Sequence, residues 1–144
     1  MFNDSRIAIY DYLYSLFFNT VTQNVYRMNE PAEMTESDVE NGFIVIRIGD
    51  FVDESEFSRN AFGSVRVFIY AYIPPKSRGR LDKDKYAQFE QAINDVIENA
   101  EMNQNDTYSI QDGSILSADS LESSGENFYI FVKSFIVNIC NTTN

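Results

Sequence analysis

Apolar and polar positions alternate along this chain with two periods, near 3.6 and near 2 residues, and the changes of period mark out its elements. Residues 4–21 follow the helical period twice over, through Ile9, Leu13, Leu16 and Thr20 and through Ile7, Tyr10, Tyr14, Phe17 and Val21. That predicts a helix with a wide apolar surface, capped by Asp4 or Ser5. Residues 24–28 read as a short strand stopped by Asn29, Glu30 and Pro31, and residues 30–40 as a polar, acidic loop. After a turn at Asn41 and Gly42, residues 43–48 alternate strictly, with Ile44, Ile46 and Ile48 on one face and Phe43, Val45 and Arg47 on the other. Residues 50–63 read as a polar connection. Residues 65–73 then form a second strong strand, with Val65, Val67, Ile69, Ala71 and Ile73 opposed to Arg66, Phe68, Tyr70 and Tyr72. Two such strands in succession predict a long β-hairpin.

Pro74 and Pro75 end that strand, because proline cannot donate to a ladder. An amphipathic helix is predicted over 82–100, with Tyr86, Phe89, Ile93, Val96 or Ile97, and Ala100 on its apolar stripe and Asp82 or Asp84 as cap. Beyond a loop at 102–106, residues 107–111 and 114–118 read as short strands about a turn at Asp112 and Gly113, and 119–127 as a loop. The longest strand candidate is 128–139. Phe128, Ile130, Val132 and Ile136 lie on one face and Tyr129, Phe131, Phe135, Val137 and Ile139 on the other, so both faces must be covered. Residues 141–144 read as a tail. The fold class expected is α+β: one domain over 1–144, with a mainly antiparallel sheet, a long β-hairpin, and an N-terminal and a central amphipathic helix packed on it. Two helices cannot cover both faces of such a sheet, and uncovered apolar surface predicts self-association.

Composition narrows the chemistry. The 144 residues include 22 acidic and 11 basic side chains, a net charge of −11, with no histidine and one cysteine, Cys140. A fold-wide phosphate-binding surface is not expected at this charge. Without histidine there is no Ser-His-Asp or Cys-His machinery, and a single cysteine makes neither an intrachain disulfide nor a Cys-rich zinc site. Cys140 reads as a buried structural residue. No cofactor, metal centre or catalytic set is expected, and the chain is read as non-enzymatic. The N-terminus lacks a basic segment and a cleavage site, and no run reaches membrane-spanning length, so neither a signal peptide nor a membrane partner is expected.

The charges are segregated along the chain. Asp50, Asp53, Glu54 and Glu56 crowd one connection, without the spacing of a calcium loop. Lys76, Arg78, Arg80, Lys83 and Lys85 supply five of the eleven basic residues, tempered by Asp82 and Asp84. This arrangement predicts contact between copies, basic loop on acidic loop. The candidate interface residues are Lys76, Arg78, Arg80, Asp50, Asp53, Glu54 and Glu56, with the strand aromatics Tyr70, Tyr72, Tyr129 and Phe131.

The element order resembles the tail-terminator, tail-completion and neck proteins of tailed bacteriophages. The matching pieces are residues 7–21, 25–28, 42–73, 83–100 and 107–139. The nearest local likenesses are Tyr70-Ala71-Tyr72-Ile73-Pro74 and Phe128-Tyr129-Ile130-Phe131-Val132. The resemblance implies a virion protein, assembled in the host cytoplasm, that forms a homo-oligomeric ring of six or twelve copies at the head–tail junction. Such a ring contacts portal or connector and tail proteins, and DNA passes its lumen without specific binding. The alternative that composition supports is a small acidic inhibitor or DNA mimic that binds a basic partner.

Overall fold

The computed structural model describes residues 2–20, 22–28, 33, 35–53, 61–102, 108–117, 122–123 and 128–141. In chain order the elements are α1 (Phe2–Phe17), β1 (Val25–Arg27), α2 (Glu36–Asn41), β2 (Phe43–Asp53), β3 (Ala61–Ile73), a 3-10 turn (Ser77–Gly79), α3 (Lys83–Met102), β4 (Tyr108–Ser117), β5 (Glu122–Ser123) and β6 (Tyr129–Asn141). This is an α+β fold, as its periodicities predict. The strands lie in the order β1-β2-β3-β6-β4, and β5 also pairs with β6. β1 runs parallel to β2, joined to it through α2, and every other pairing between these named strands is antiparallel.

Both strands of the hairpin are longer than predicted. β2 continues to Asp53 and β3 begins at Ala61, so half of the expected connection 50–63 is strand, and residues 54–60 lie outside the described residues. Polar character there conceals the strand, because the pairing passes through a bulge. Ile48 faces Val67 and Phe51 faces Val65, one more residue on β2 than on β3. β4 is likewise one strand rather than two. Gln111 faces Ile136 and Leu116 faces Ser134, so Asp112 and Gly113 fall in a bulge and not in a hairpin turn. The expected loop 102–106 gives Met102 to α3, and its remainder lies outside the described residues. The loop 119–127 contributes β5, and of the expected tail Asn141 belongs to β6; the other residues of both, and the side chain of Cys140, are not described.

α1 starts at Phe2, which puts Asp4 and Ser5 inside the helix rather than at its cap. It stops at Phe17, earlier than its apolar spacing suggests. Asn19 takes a left-handed conformation (φ 63°), and Thr20 turns its hydroxyl back to donate to the carbonyls of Leu16 and Phe17. The helix buries Ile9, Tyr10, Leu13 and Phe17 against the sheet, and Ile7 is exposed. The Tyr10 hydroxyl, itself buried, accepts the Ile48 amide at 3.2 Å and ties α1 to β2.

The segment expected as a loop at 30–40 contains α2. Its start is written in Thr35-Glu36-Ser37-Asp38. The Thr35 hydroxyl accepts the Asp38 amide at 3.1 Å, and the Asp38 carboxylate accepts the Thr35 amide at 3.0 Å. This reciprocal box satisfies two donors that a helix start leaves free. Gly42 ends α2 with φ 83° and ψ 175°, a conformation all but closed to other residues.

The two sheet faces are filled differently. On the helix side, Ile44, Ile46, Val67, Ile69, Ala71, Phe131, Phe135 and Val137 meet α1 and the Phe89, Ile93, Val96, Ile97 and Ala100 stripe of α3. On the other side a smaller cluster of Phe43, Val45, Tyr72 and Phe128 is joined by Tyr26, Tyr70 and Ile130. Phe43 stacks on Tyr72 with ring centres 4.3 Å apart, and Phe128 meets both edge-on. The chain's own aromatics thus close one end of the face that its long helices leave free.

Gly42 sits where these layers converge. A Cβ there would lie 2.6 Å from the Tyr72 carbonyl oxygen and 3.2 Å from the Phe89 ring. Gly42→Ala is therefore expected to cost at least about 2 kcal/mol, through strain and overpacking together. Urea unfolding checks this, and a loss below about 0.5 kcal/mol would contradict the geometry.

Candidate functional site

The basic loop is a built feature. After Pro75 the chain folds back on itself. The Lys76 amide donates to the Arg80 carbonyl at 2.7 Å, and the Gly79 amide to the Lys76 carbonyl at 3.1 Å. Gly79 takes φ 69°, which closes this turn. The Tyr129 hydroxyl reaches across from β6 to donate to the Gly79 carbonyl at 2.6 Å. Asp82 then caps α3, its carboxylate accepting the Lys85 amide at 3.1 Å. The result is a pocket of about 490 Å³ lined by Lys76, Ser77, Arg80, Leu81, Lys83 and Asp84. Among the described residues the ion pairs are Arg27 with Asp11 and Lys133 with Glu90, so none of Lys76, Arg80 and Lys83 is neutralised by a carboxylate. The start of α3 adds partial positive charge, and Asp84 in the wall offsets part of it.

The interface residues expected from sequence divide three ways. Lys76 and Arg80 come together in the pocket, and Tyr129 braces it. Tyr70 is half-buried on the face opposite the helices, with the Arg47 guanidinium 4.9 Å above its ring. Tyr72 and Phe131 are 4% and 0% exposed: Phe131 packs in the larger cluster under the helices, and Tyr72, on the opposite face beside Tyr70, is covered by Phe43 and Phe128. They are core residues, which corrects their placement at an interface. Asp50 and Asp53 stand on the far end of β2, with side chains outside the described residues; the side chain of Arg78 and all of Glu54 and Glu56 also lie outside them.

Two polar anchors were not singled out from sequence. Asp38 is fully buried, and the Tyr26 hydroxyl points at both of its carboxylate oxygens at 2.8 Å, which fastens α2 to β1. Burial first, then the hydrogen bond to Asp38 and its charge, push the Tyr26 phenol up to about 12. On the helix side Lys133 is 5% exposed and meets Glu90 of α3 at 3.4 Å; Glu90 also accepts the Tyr86 hydroxyl at 3.3 Å. Burial, followed by the charge and hydrogen bond of Glu90, raises Tyr86 as well. The signal for Lys133 is legible: it is the one charged residue among the inward positions Tyr129, Phe131, Lys133, Phe135 and Val137. Both tyrosines are held protonated as donors to carboxylates, which suits anchoring.

A second recess, about 310 Å³ and mainly apolar, lies between the ends of α1 and α3, lined by Ser15, Leu16, Thr20, Val96, Asn99 and Ala100. Among the described residues no group of three or more acidic or cysteine side chains is placed to hold a metal ion, and no helix is long and apolar enough to cross a membrane. Comparison of the sequence with models of known protein families and with curated proteins finds no match to either.

The raised Tyr26 pKa fixes the sign of a pH effect. A group whose folded pKa lies above its unfolded value of 10.0 contributes stability in full below pH 10 and loses it as pH rises toward about 12. Tyr26→Phe is expected to cost about 2 kcal/mol at pH 7, because Asp38 loses a donor. It should also flatten the fall in stability between pH 9 and pH 11. Urea midpoints at both pH values test this, and equal falls in the two proteins would refute it. At the other anchor, Glu90→Ala strands a buried ammonium and is expected to cost about 2 kcal/mol, whereas Lys133→Met should be neutral or stabilising. Thermal unfolding of the pair of variants reads the asymmetry directly, and a larger loss from Lys133→Met would reverse the assignment.

Proposed function

We propose that this chain is a non-enzymatic virion structural protein that forms an oligomeric ring at the head–tail junction of a tailed phage, as a tail terminator or neck ring. The observation that carries the reading is architectural. An N-terminal helix, a short strand, a hairpin of 11- and 13-residue strands, one long amphipathic helix and returning strands build a single sheet, in the order that the resemblance implies. Support also comes from the sheet face opposite the helices. Phe68, Tyr70, Val132 and Ile136 stay half-exposed there beside Arg47 and Arg66, a mixed surface suited to subunit contacts. A net charge of −11 would repel DNA from a lumen and let it slide. The acidic-inhibitor alternative is less well supported, because a DNA mimic needs a continuous acidic face and this molecule places Lys76, Arg80 and Lys83 around a pocket at the start of α3.

Light scattering at two salt and two protein concentrations tests the proposal. The expected species is a closed particle six or twelve times the 16.6 kDa chain, with its assembly responsive to salt. A monomer throughout, together with a salt-sensitive complex formed with a DNA-binding enzyme, would favour the inhibitor reading instead.

A further inference from the structure

We infer that the pocket of Lys76, Arg80 and Lys83 binds a small organic molecule that carries a phosphate monoester. The site does not depend on the ring proposed above, nor the ring on the site. Its lining comes from two consecutive pieces of chain, each held by its own contacts. The turn at 76–80, closed by the Lys76 amide on the Arg80 carbonyl and braced by the Tyr129 hydroxyl on the Gly79 carbonyl, supplies Lys76, Ser77 and Arg80. The first turn of α3, held by the Asp82 carboxylate on the Lys85 amide, supplies Lys83 and Asp84, and Leu81 lies between the two pieces. Lys76, Arg80 and Lys83 are exposed, so a ligand reaches them without any opening of the fold.

Charge decides the class of ligand. Three of the eleven basic residues of a chain with net charge −11 line this one recess, and with Asp84 they give the lining a net +2. No ion pair among the described residues engages Lys76, Arg80 or Lys83. A phosphate monoester carries about −1.5 to −2 near neutral pH and matches the lining, whereas one carboxylate or one phosphodiester carries half as much. The donors suit it as well. A guanidinium fork, two ammonium groups and the Ser77 hydroxyl can share the three terminal oxygens of a phosphoryl group. The Asp84 carboxylate, which repels the phosphoryl group, accepts a hydroxyl or ammonium of the ligand's body. Size points the same way. The recess of about 490 Å³ lies within the roughly 300–1,000 Å³ of small-molecule sites, and Leu81 offers the organic body an apolar wall. A nucleic-acid backbone fits less well, because each diester brings one charge and the net −11 of the molecule opposes a polyanion.

Calorimetric titration of the full chain tests the site, with phenyl phosphate, inorganic phosphate, sulfate and a poly-glutamate peptide as probes. Phenyl phosphate should saturate one site per chain with a Kd of about 1 mM or below, and inorganic phosphate should bind the same site more weakly. The chain has no histidine, so a drop from about pH 7.5 to about pH 5.5 changes chiefly the charge of the ligand, whose second pKa is near 6. It should weaken phenyl phosphate about threefold and leave sulfate unchanged. Lys76→Gln with Arg80→Gln should lower the affinity for phenyl phosphate at least about tenfold, and Arg66→Gln, on the sheet face opposite the helices, should not alter it. Circular dichroism checks that each variant is folded. No saturable binding of either phosphate probe, or binding that survives in the folded double variant, would overturn the site. Equal affinity for phosphate and sulfate at both pH values would overturn the monoester assignment, and equal affinity for phenyl and inorganic phosphate would overturn the part given to the organic body. Binding of poly-glutamate but of neither phosphate probe would overturn the proposal and give the pocket to an acidic protein segment. The light-scattering result is read separately, so the failure of this site and the failure of the ring are distinguishable.

Discussion

The governing constraint is that β3 and β6 are apolar on both faces while the described residues hold two long helices to lay against them. Val65, Val67, Ile69, Phe131, Phe135 and Val137 need one cover, and Tyr72, Phe128 and Ile130 on the reverse side need another. α1 and α3 provide the first. The second is improvised from local pieces: a stacked pair of rings, an edge-on third, and a six-residue helix pinned by one buried carboxylate. The Asp38–Tyr26 contact, the box at Thr35 and the conformation of Gly42 all serve to hold that small helix over a surface the long helices do not reach.

The buried Asp38 and Lys133 each have a partner within reach. Lys133 occupies an inward position of β6, and its ammonium reaches toward the edge of α3, where Glu90 is still partly wetted. The arrangement adds little net stability, since two charges give up water to meet, but it ties α3 to β6. Tyr10 acts similarly for α1 through the Ile48 amide. Directional contacts of this kind are laid over the non-directional apolar ones; Asp11 of α1 also pairs with Arg27, and Lys85 of α3 donates to the Glu40 carbonyl.

Much of this was legible in the residues. The facing sets of the hairpin and of the last strand appear in the structure as alternation places them, because a period of two leaves no freedom once one face is buried. α3 was legible from its stripe and its Asp82 cap. What escaped was local chemistry acting against composition. Thr35 and Asp38 build a helix inside an acidic stretch that reads as loop, and Asp112 with Gly113, a turn signal in isolation, is absorbed as a bulge because β6 continues alongside. Lys76 and Arg80, clustered in sequence, also come together around one pocket. Tyr72 and Phe131 could not be told from surface aromatics, because both faces of their strands carry rings and only the packing decides which are enclosed.

The strand order also bears on how the protein is made. β6 stands between β3 and β4 in space, yet it follows both in sequence. From the time β3 leaves the ribosome until β6 emerges, the inner edge of β3 has no partner, and β4 has no strand to join. At roughly 5–20 residues per second that interval is several seconds, long compared with hairpin formation in microseconds. During synthesis the nascent chain therefore carries β3 with one edge still lacking its partner strand. On a polysome, where many copies grow side by side, that edge is the stretch most in need of a chaperone's cover.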